Sequence, residues 1–348
     1  MSAARATLAI APGASGASLR EDAVTLYTSL HPAMGTEYAL YLYASSCEEA
    51  EATAKPAFDE ISRIDELLSN YREGSELSRI NREAALAPVT TDPEVFRFLE
   101  AALQWSKRSG GAFDMTLGKL MKTWGFFGAS GALPSKAEIA EAQSQVGWWN
   151  VRLDSEQRTV QFLSPGIEFD PGGIGKGYAV DRAIRILRAN GVQAALLSSG
   201  GSTIYALGAP AGMAAWKIQV PAPGREADTV STVELRDMSL STANRSQKYF
   251  VKNGRLYGSI MDPLTLSPSE GAVQTTVIAP SALDSDALSN AVFVLGPEES
   301  ASLLEKFPQI SALIISAGKT ALRHKAIRWP ASVAGLNRMS RTNEEEGE

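Results

Sequence analysis

The sequence predicts an α+β fold that forms one continuous body. Apolar runs of strand length come in groups, and amphipathic helical patterns lie between them at irregular intervals. This irregular order favours an α+β fold over a doubly wound sheet, in which helices follow strands regularly. Neither a Gly/Ser-rich linker nor an internal repeat divides the chain. We therefore expect a flexible leader at 1–22, a single domain at 23–330 and a disordered, charged tail at 331–348.

The domain is predicted to begin with a strand and two helices. The aromatic-rich run at 38–44 has the length of a strand. An amphipathic helix is expected within 47–69, beginning near Pro56, because apolar side chains recur there at spacings of three and four: Phe58, Ile61, Ile64, Leu67 and Leu68. The next helix is predicted to start at the N-cap Asp92 and to end at Gly110.

The rest of the domain mixes short apolar runs with three more helical patterns. Helices are predicted at 178–191, 286–296 and 297–307. The apolar runs between and around them predict strands at 160–164, 167–170, 193–201, 216–220, 231–235, 275–279 and 312–316.

The composition restricts the chemistry that the protein can perform. A formal net charge of −6 argues against nucleic acid as a partner. No apolar run reaches the roughly 20 residues of a membrane-spanning helix, and the first residues lack the features of a secretory signal, so a cytoplasmic location is expected. Cys47 is the only cysteine, and His31 and His324 are the only histidines, which excludes an internal disulfide and Cys-rich or three-histidine metal sites. Chemistry must then depend on carboxylates, hydroxyls, Lys and backbone groups.

A glycine-rich loop at 170–177 is the most informative local motif. It follows a predicted strand, precedes a predicted helix and contains four glycines together with Asp170 and Lys176. Glycines let backbone amides approach a ligand closely, and a helix N-terminus adds partial positive charge, so the loop could hold a diphosphate. It matches neither the Walker A loop nor the dinucleotide fingerprint, and a simple turn between strand and helix is the alternative.

A second motif places oxygen ligands on one face of a helix. Asp286 and Asn290 are four residues apart, with Ser289 beside them. Hard oxygen donors of low total charge suit Mg²⁺, which keeps waters and takes phosphate oxygens from its substrate. The alternative is that Asp286 caps the helix and Asn290 is an ordinary surface residue.

Five further features each allow two interpretations. Gly200-Gly201 could form a hairpin turn or make room for a ligand. Asp262, which precedes a proline, and Asp114, which follows a glycine pair, could present carboxylates or only stabilise turns. Met34 could line a pocket for an aromatic ring or fill the core. Tyr71 could stack on a flat ligand or cover a helix.

The order of these motifs along the chain resembles that of the ApbE family, the FAD:protein FMN transferases. The resemblance covers residues 31 to about 316, and its most specific segments are GGIGKGYAVDR and DSDAL. It is carried by seven segments: AMGT at 33–36, NYREGSELSRINR at 70–82, GAFDMTLG at 111–118, DPGGIGKGYAVDR at 170–182, SSGGS at 198–202, SIMDP at 259–263 and DSDALSNAVFVLGPE at 284–298.

The resemblance implies both a fold and an activity. The fold would be a duplicated unit of antiparallel sheet and paired helices, T-fold-like, with the nucleotide site between the halves. The activity would be Mg²⁺-dependent transfer of the FMN part of FAD to a Thr or Ser of an acceptor flavoprotein, with release of AMP. Members of the family often work in the periplasm or at a membrane. Two alternatives are a pyrophosphatase that splits FAD into FMN and AMP, and a non-catalytic FAD-binding protein.

The resemblance also implies roles for individual residues. Ser259 stands where the family usually has a His, and with Asp262 and Lys176 it forms the candidate catalytic group. The metal would be held by the backbone oxygen of Gly173 and by Asp286, completed by Ser289 or Asn290. The residues expected to bind the flavin nucleotide are Met34, Tyr71, Ala112, Phe113, Asp114, Asp170, Gly172, Lys176, Gly200, Gly201 and Ile260.

Overall fold

An eight-stranded antiparallel sheet forms the centre of the molecule. The structure is a computed structural model and describes residues 24–128 and 131–334. The strand order in this main sheet is β1-β2-β6-β7-β10-β15-β16-β17, and every neighbouring pair is antiparallel. Its strands are β1 Thr25–Ala33, β2 Thr36–Ala44, β6 Ala195–Ser199, β7 Thr203–Leu207, β10 Met238–Asn244, β15 Gln274–Ala279, β16 Ser311–Ala317 and β17 Leu322–Ile327.

Three long helices cover one face of the main sheet. They contact one another in the order α1, α6, α7 and enclose the largest apolar core together with the sheet. The helices in chain order are α1 Cys47–Leu68, α2 Glu76–Glu83, α3 Pro93–Arg108, α4 Gly118–Thr123, α5 Lys136–Gln143, α6 Gly175–Ala189 and α7 Ala282–Glu305. Among the described residues, no helix has the length and apolar character needed to span a bilayer.

The remaining strands form small sheets around this body. The β8–β9 pair covers the other face of the main sheet and encloses a second apolar cluster with it. A third cluster lies beneath the β11–β12 hairpin. The bounds are β3 Val89–Thr90, β4 Val151–Asp154, β5 Thr159–Phe162, β8 Trp216–Ala222, β9 Arg225–Leu235, β11 Tyr249–Lys252, β12 Arg255–Gly258, β13 Met261–Asp262 and β14 Ser267–Pro268.

The α+β prediction is confirmed, and two element predictions need correction. Helix α1 does not begin near Pro56: it begins at Cys47, because the Ser46 side chain accepts a hydrogen bond from the Glu49 amide, and Pro56 lies on the exposed side of the helix. Residues 167–170 do not form a strand and make only one isolated bridge, between Glu168 and Leu117.

The two helices predicted at 286–307 form one element with a break. Helix α7 changes direction at Gly296, whose φ of 68° and ψ of −171° are not helical, and Pro297 follows. The predicted boundary between the helices therefore coincides with the kink.

The predicted leader and most of the predicted tail lie outside the described residues. Residues 331–334 are described, and their backbone lies along β9: the Ala334 amide donates to the Val230 carbonyl oxygen, and Ser231 Oγ donates to the Ser332 carbonyl oxygen.

Candidate active site

A cavity of about 730 Å³ lies beside the N-termini of α6 and α7. This volume is within the usual range for small-molecule sites, about 300–1,000 Å³. Its walls come from segments that are far apart in sequence. The candidate residues that line it are Met34, Tyr71, Ala112, Phe113, Asp114, Asp170, Gly172, Gly173, Lys176, Ser259, Ile260, Asp286, Ser289 and Asn290.

The glycine-rich loop brings α6 against α7. A Cβ atom on Gly177 would lie 2.6 Å from the Ala282 carbonyl carbon and 2.8 Å from Asp286 Cβ. Contacts this short do not occur, so only glycine allows the two helix starts to come together here. The loop is thus more than a turn between two elements.

The starts of α6 and α7 cap each other. Asp286 Oδ2, on α7, accepts a hydrogen bond of 2.9 Å from the Gly177 amide on α6. In return, the two carboxylate oxygens of Asp181, on α6, accept from the Ala282 and Leu283 amides at 2.7 and 2.9 Å. Each carboxylate satisfies amides that the helix itself leaves unpaired. We refer to these three hydrogen bonds as the reciprocal caps.

Burial perturbs both capping carboxylates. Loss of solvent raises the pKa of Asp181 to about 6, although its two amide donors favour the charged form. Burial also raises the pKa of Asp286, and the nearby Lys176 charge and the Gly177 amide oppose that change. Lys176 Nζ is held in place by a hydrogen bond of 2.7 Å to Ser202 Oγ.

The candidate metal ligands lie together, with one difference among them. Asn290 Nδ2 is 3.2 Å from the Gly173 carbonyl oxygen and 3.0 Å from the Asp286 carbonyl oxygen, so its amide group faces the glycine loop. Ser289 Oγ instead donates to the Asp286 carbonyl oxygen within α7, at 2.8 Å. The Gly173 carbonyl oxygen and the Asp286 carboxylate are hard oxygen donors, and Asn290, which presents its Nδ2 to Gly173, would join them with Oδ1 after its amide group turns over. Oxygen donors with a single carboxylate fit Mg²⁺ that also binds substrate phosphate.

Met34 and Tyr71 form walls of the cavity. Met34 occupies the first position of the two-residue turn between β1 and β2 with a φ of 51°, and Tyr38 Oη donates to its sulfur at 3.1 Å. That backbone conformation is unfavourable for any residue other than glycine, so the fold holds Met34 there at an energetic cost. Tyr71 is largely exposed, and its ring stacks on Phe127 with the centroids 4.8 Å apart.

Asp114 is fully engaged in holding its own turn. Its Oδ1 accepts from the Thr116 amide and hydroxyl, and its Oδ2 accepts from the Trp148 amide, at 2.8–2.9 Å. Burial raises its pKa, and these donors oppose that rise. The neighbouring Ala112 and Phe113 are buried in the cavity wall, with the Phe113 ring close to Gly173.

Asp170 closes the front of the glycine loop. Its Oδ1 accepts from the Gly172 amide at 2.9 Å and from Asn70 Nδ2 at 3.2 Å. Burial raises its pKa, while Lys248 and Lys122 act in the opposite direction. The carboxylate therefore shapes the loop.

Three candidate residues lie outside the cavity lining. Gly200 and Gly201 form the turn between β6 and β7, with φ values of 56° and 73°, and a Cβ on Gly200 would collide with Thr36 Oγ1. Asp262 Oδ1 accepts from the Leu264 amide at 2.8 Å in the turn between β13 and β14. For Gly200, Gly201 and Asp262, the interpretation as turn-forming residues agrees with the observed geometry.

Comparison with known proteins assigns the chain to a family. A sequence model described as the ApbE family matches residues 34–314, which is most of the chain. The chain belongs to the ApbE family. It is 31% identical over 309 residues to the "FAD:protein FMN transferase" of Treponema pallidum, covering 84% of this chain and 85% of that protein. It is 30% identical to one from Klebsiella pneumoniae, covering 82% and 88% of the two chains.

Solved ApbE structures have the same fold. The Thermotoga maritima ApbE protein superimposes with a TM-score of 0.79 at 29% identity, covering 87% of this chain and 97% of that one. The Pseudomonas stutzeri flavinyl transferase ApbE, in its apo form, gives a TM-score of 0.77 at 29% identity, with 88% and 96% covered. The α+β fold inferred from irregular strand and helix order is thus that of ApbE proteins.

Sequence reasoning missed several residues that shape this ApbE cavity. Ser202, which holds Lys176, follows the Gly200-Gly201 turn, and a serine after a turn carries no signal of a distant partner. Asp181 lies inside a helical pattern, where nothing local reveals that it caps another helix. Lys248, which lines the cavity, precedes the Asn253-Gly254 turn of the β11–β12 hairpin, and that dipeptide is a strong hairpin signal.

Proposed function

We propose that this protein transfers the FMN part of FAD to a Thr or Ser hydroxyl of an acceptor flavoprotein, with Mg²⁺ bound and AMP released. Membership of the ApbE family supports an enzyme of the FAD:protein FMN transferase type. The observation that carries the proposal is the meeting of the glycine loop, Lys176 and the Asp286–Asn290 face of α7 at one wall of the cavity. Phosphoryl transfer needs positioning and positive charge at the phosphates, and this wall supplies both.

In this reaction the acceptor oxygen forms a bond to the FMN phosphorus, and the bond from that phosphorus to the bridging anhydride oxygen breaks. The electron pair leaves with AMP, and the hydroxyl proton passes to the departing AMP phosphate or to water. Lys176, fixed by Ser202, holds negative phosphate oxygens, and the loop amides can approach them because the glycines carry no side chain. Mg²⁺, held by Gly173, Asp286 and Asn290, would supply further neutralisation of phosphate charge.

No imidazole of this chain is available to accept the hydroxyl proton in the cavity. His31 bonds to Ser62 Oγ and stacks on Phe58, and His324 lies on β17; neither is among the lining residues. Ser259 occupies the wall instead. A general base typically contributes about 10²–10⁴-fold in rate. We therefore expect slower transfer than in an enzyme with a His at position 259, with catalysis that depends on positioning of the substrates and on neutralisation of phosphate charge.

The test is incubation of the protein with FAD and Mg²⁺, with and without Thr- or Ser-containing flavoprotein domains, followed by mass spectrometry of each domain and chromatography of AMP. The expected result is a mass increase of one FMN together with equimolar AMP, and a rate at least about 10²-fold lower for Lys176→Met. AMP release without labelling would identify a pyrophosphatase. FAD that stays intact under every condition would identify a binding protein and overturn the proposal.

A further inference from the structure

The β11–β12 hairpin beside the cavity has one packed face and one exposed face. Phe250 and Tyr257 pair across the strands and stack with their centroids 5.1 Å apart, and Phe250 also contacts Phe126. Side chains alternate along a strand, so their neighbours face the other way. Tyr249 and Val251 are accordingly 51% and 61% exposed. The hairpin is held rigidly by its inner face while its outer face presents apolar surface to solvent.

The hairpin is continuous with the cavity. The Ser259 amide donates to the Lys248 carbonyl oxygen at 2.9 Å, which extends the strand pairing to the cavity wall. Gln247, Lys248, Ser259 and Ile260 all line the cavity. A chain segment lying on the outer face of the hairpin would therefore lead directly to the cavity opening.

The charge of this segment is opposite to that of the whole protein. The chain has a formal net charge of −6, yet the charged residues at 245–258 are all basic: Arg245, Lys248, Lys252 and Arg255. Arg255 pairs with Glu270, whereas none of the other three forms an ion pair within residues 24–128 and 131–334. All four side chains are exposed. By the same alternation, Lys252 lies on the Phe250 side of the hairpin. A Cβ on Gly258, which pairs with Tyr249, would meet the Arg245 backbone, so Arg245 is the cation beside the outer face. An unpaired cation beside an apolar face attracts a partner that carries acidic groups.

The hairpin also has free strand edges. Strands β11 and β12 form a two-stranded sheet, and in the described part of the chain neither pairs with a third strand. An extended peptide can use such an edge for main-chain hydrogen bonds. An extended segment also suits the reaction, because its hydroxyl must enter a concave cavity rather than meet a flat surface.

From these observations we propose that the outer face of the β11–β12 hairpin, formed by Tyr249 and Val251 with Arg245 beside them, binds an extended acidic segment of the acceptor protein. This inference rests on the proposed function. It adds the place where the acceptor binds and the sign of the charge next to its reactive hydroxyl.

The experiment compares three peptides that share one central Thr and differ in having Glu, Ser or Lys on both sides. Their kcat/KM values are measured at about 20 mM NaCl, where surface charges are weakly screened, and at about 300 mM NaCl. We expect the Glu peptide to be preferred over the Lys peptide by about tenfold or more at low salt, and the preference to shrink at high salt. Equal use of all three peptides would overturn the proposal.

The matched variants are Arg245→Glu and Arg152→Glu. Arg152 is also an exposed cation without an ion pair among the described residues, but it lies on β4 opposite Gln161. We expect Arg245→Glu to raise KM for the Glu peptide about fivefold with little change in kcat, and Arg152→Glu to change neither. Tyr249→Ser should raise KM for all three peptides. Equal effects of the two charge reversals would contradict the proposal.

Two readouts separate this inference from the proposed function. FAD affinity, measured from flavin fluorescence, should be the same in Arg245→Glu and the unmodified protein, because Arg245 does not line the cavity. If no peptide is flavinylated by the unmodified protein, anisotropy of fluorescent forms of the same peptides still tests the surface. Preferential binding of the Glu peptide, lost in Arg245→Glu, would support the proposed surface, and charge-independent binding would reject it.

Discussion

At the scale of single residues, Asp286 joins structure and chemistry. It accepts a hydrogen bond from the Gly177 amide and also lies among the candidate metal ligands. An Asn at this position can still accept that hydrogen bond but carries no charge. We expect Asp286→Asn to fold normally and to lower the Mg²⁺-dependent rate by about 10²–10³-fold.

The measurement is the flavinylation rate as a function of Mg²⁺ concentration, with the melting temperature recorded in parallel. The control is Asp284→Asn on the same helix turn. Asp284 Oδ1 accepts from Trp105 Nε1 and does not line the cavity. An equal loss of rate in both variants would show that the Asp286 effect is structural.

Ser259 allows a second residue-scale prediction. An imidazole placed there has an ordinary pKa near 6.5 and could accept the hydroxyl proton once it is neutral. We expect Ser259→His to raise the transfer rate by at least about tenfold above pH 7 and to have little effect at pH 5.5. The check is the pH profile of kcat, with Ser259→Asn as a control of similar size. A gain that does not depend on pH would argue against general-base action.

At the scale of elements, the contact between α6 and α7 depends on one missing side chain. In Gly177→Ala the new Cβ would meet the Ala282 carbonyl and Asp286 Cβ, so the two helix starts must separate. We expect a loss of about 3 kcal/mol in the free energy of unfolding, measured by urea denaturation, together with weaker FAD binding. Gly74→Ala is the control, because a Cβ there meets nothing within 4 Å. A neutral Gly177→Ala would contradict this packing.

Asp181 makes the stability of the same contact depend on pH. Its pKa of about 6 lies above the unfolded value of 3.8, so the native state binds the proton more tightly between these values. The contribution of Asp181 to stability is therefore greatest below about pH 4 and falls as the pH rises towards 6. We expect the unfolding free energy of the unmodified protein, relative to Asp181→Asn, to fall by up to about 1.4 kcal/mol per pH unit in this window. If the difference in unfolding free energy between the two proteins does not change with pH, the raised pKa of Asp181 is refuted.

Local sequence patterns predicted those helix ends that are fixed by a capping or helix-breaking residue. Asp92 caps α3 as expected, and the predicted break at 296–297 coincides with the kink at Gly296. Pro56 was misleading because proline is usual in the first turn of a helix, whereas here it lies within α1, on the solvent side. The caps of Asp181 and the contact of Ser202 with Lys176 join residues from different elements, and no local pattern reports such pairs.

At the scale of the whole molecule, the cavity is built from residues between Met34 and Val294. A ligand there would contact segments from the first strands, the glycine loop, the β11–β14 region and α7. We expect FAD with Mg²⁺ to raise the melting temperature of one cooperative transition, with a stabilisation of about 2.7 kcal/mol at 100 times the dissociation constant. Differential scanning calorimetry with and without both ligands checks this. Two transitions, of which only one moves, would show that the body contains independent units.

The reciprocal caps have a consequence for how the protein folds as it is made. Their hydrogen bonds join residues 101 to 109 positions apart. The N-termini of α6 and α7 can therefore be capped only after the start of α7 has been synthesised. At ordinary rates of synthesis, roughly 5–20 residues per second, this delay is roughly 5 to 20 s. During that interval the glycine loop lacks the partner that fixes it. The candidate site is therefore among the last parts of the protein to form, and a truncated chain that ends before residue 282 would lack the α7 wall of it.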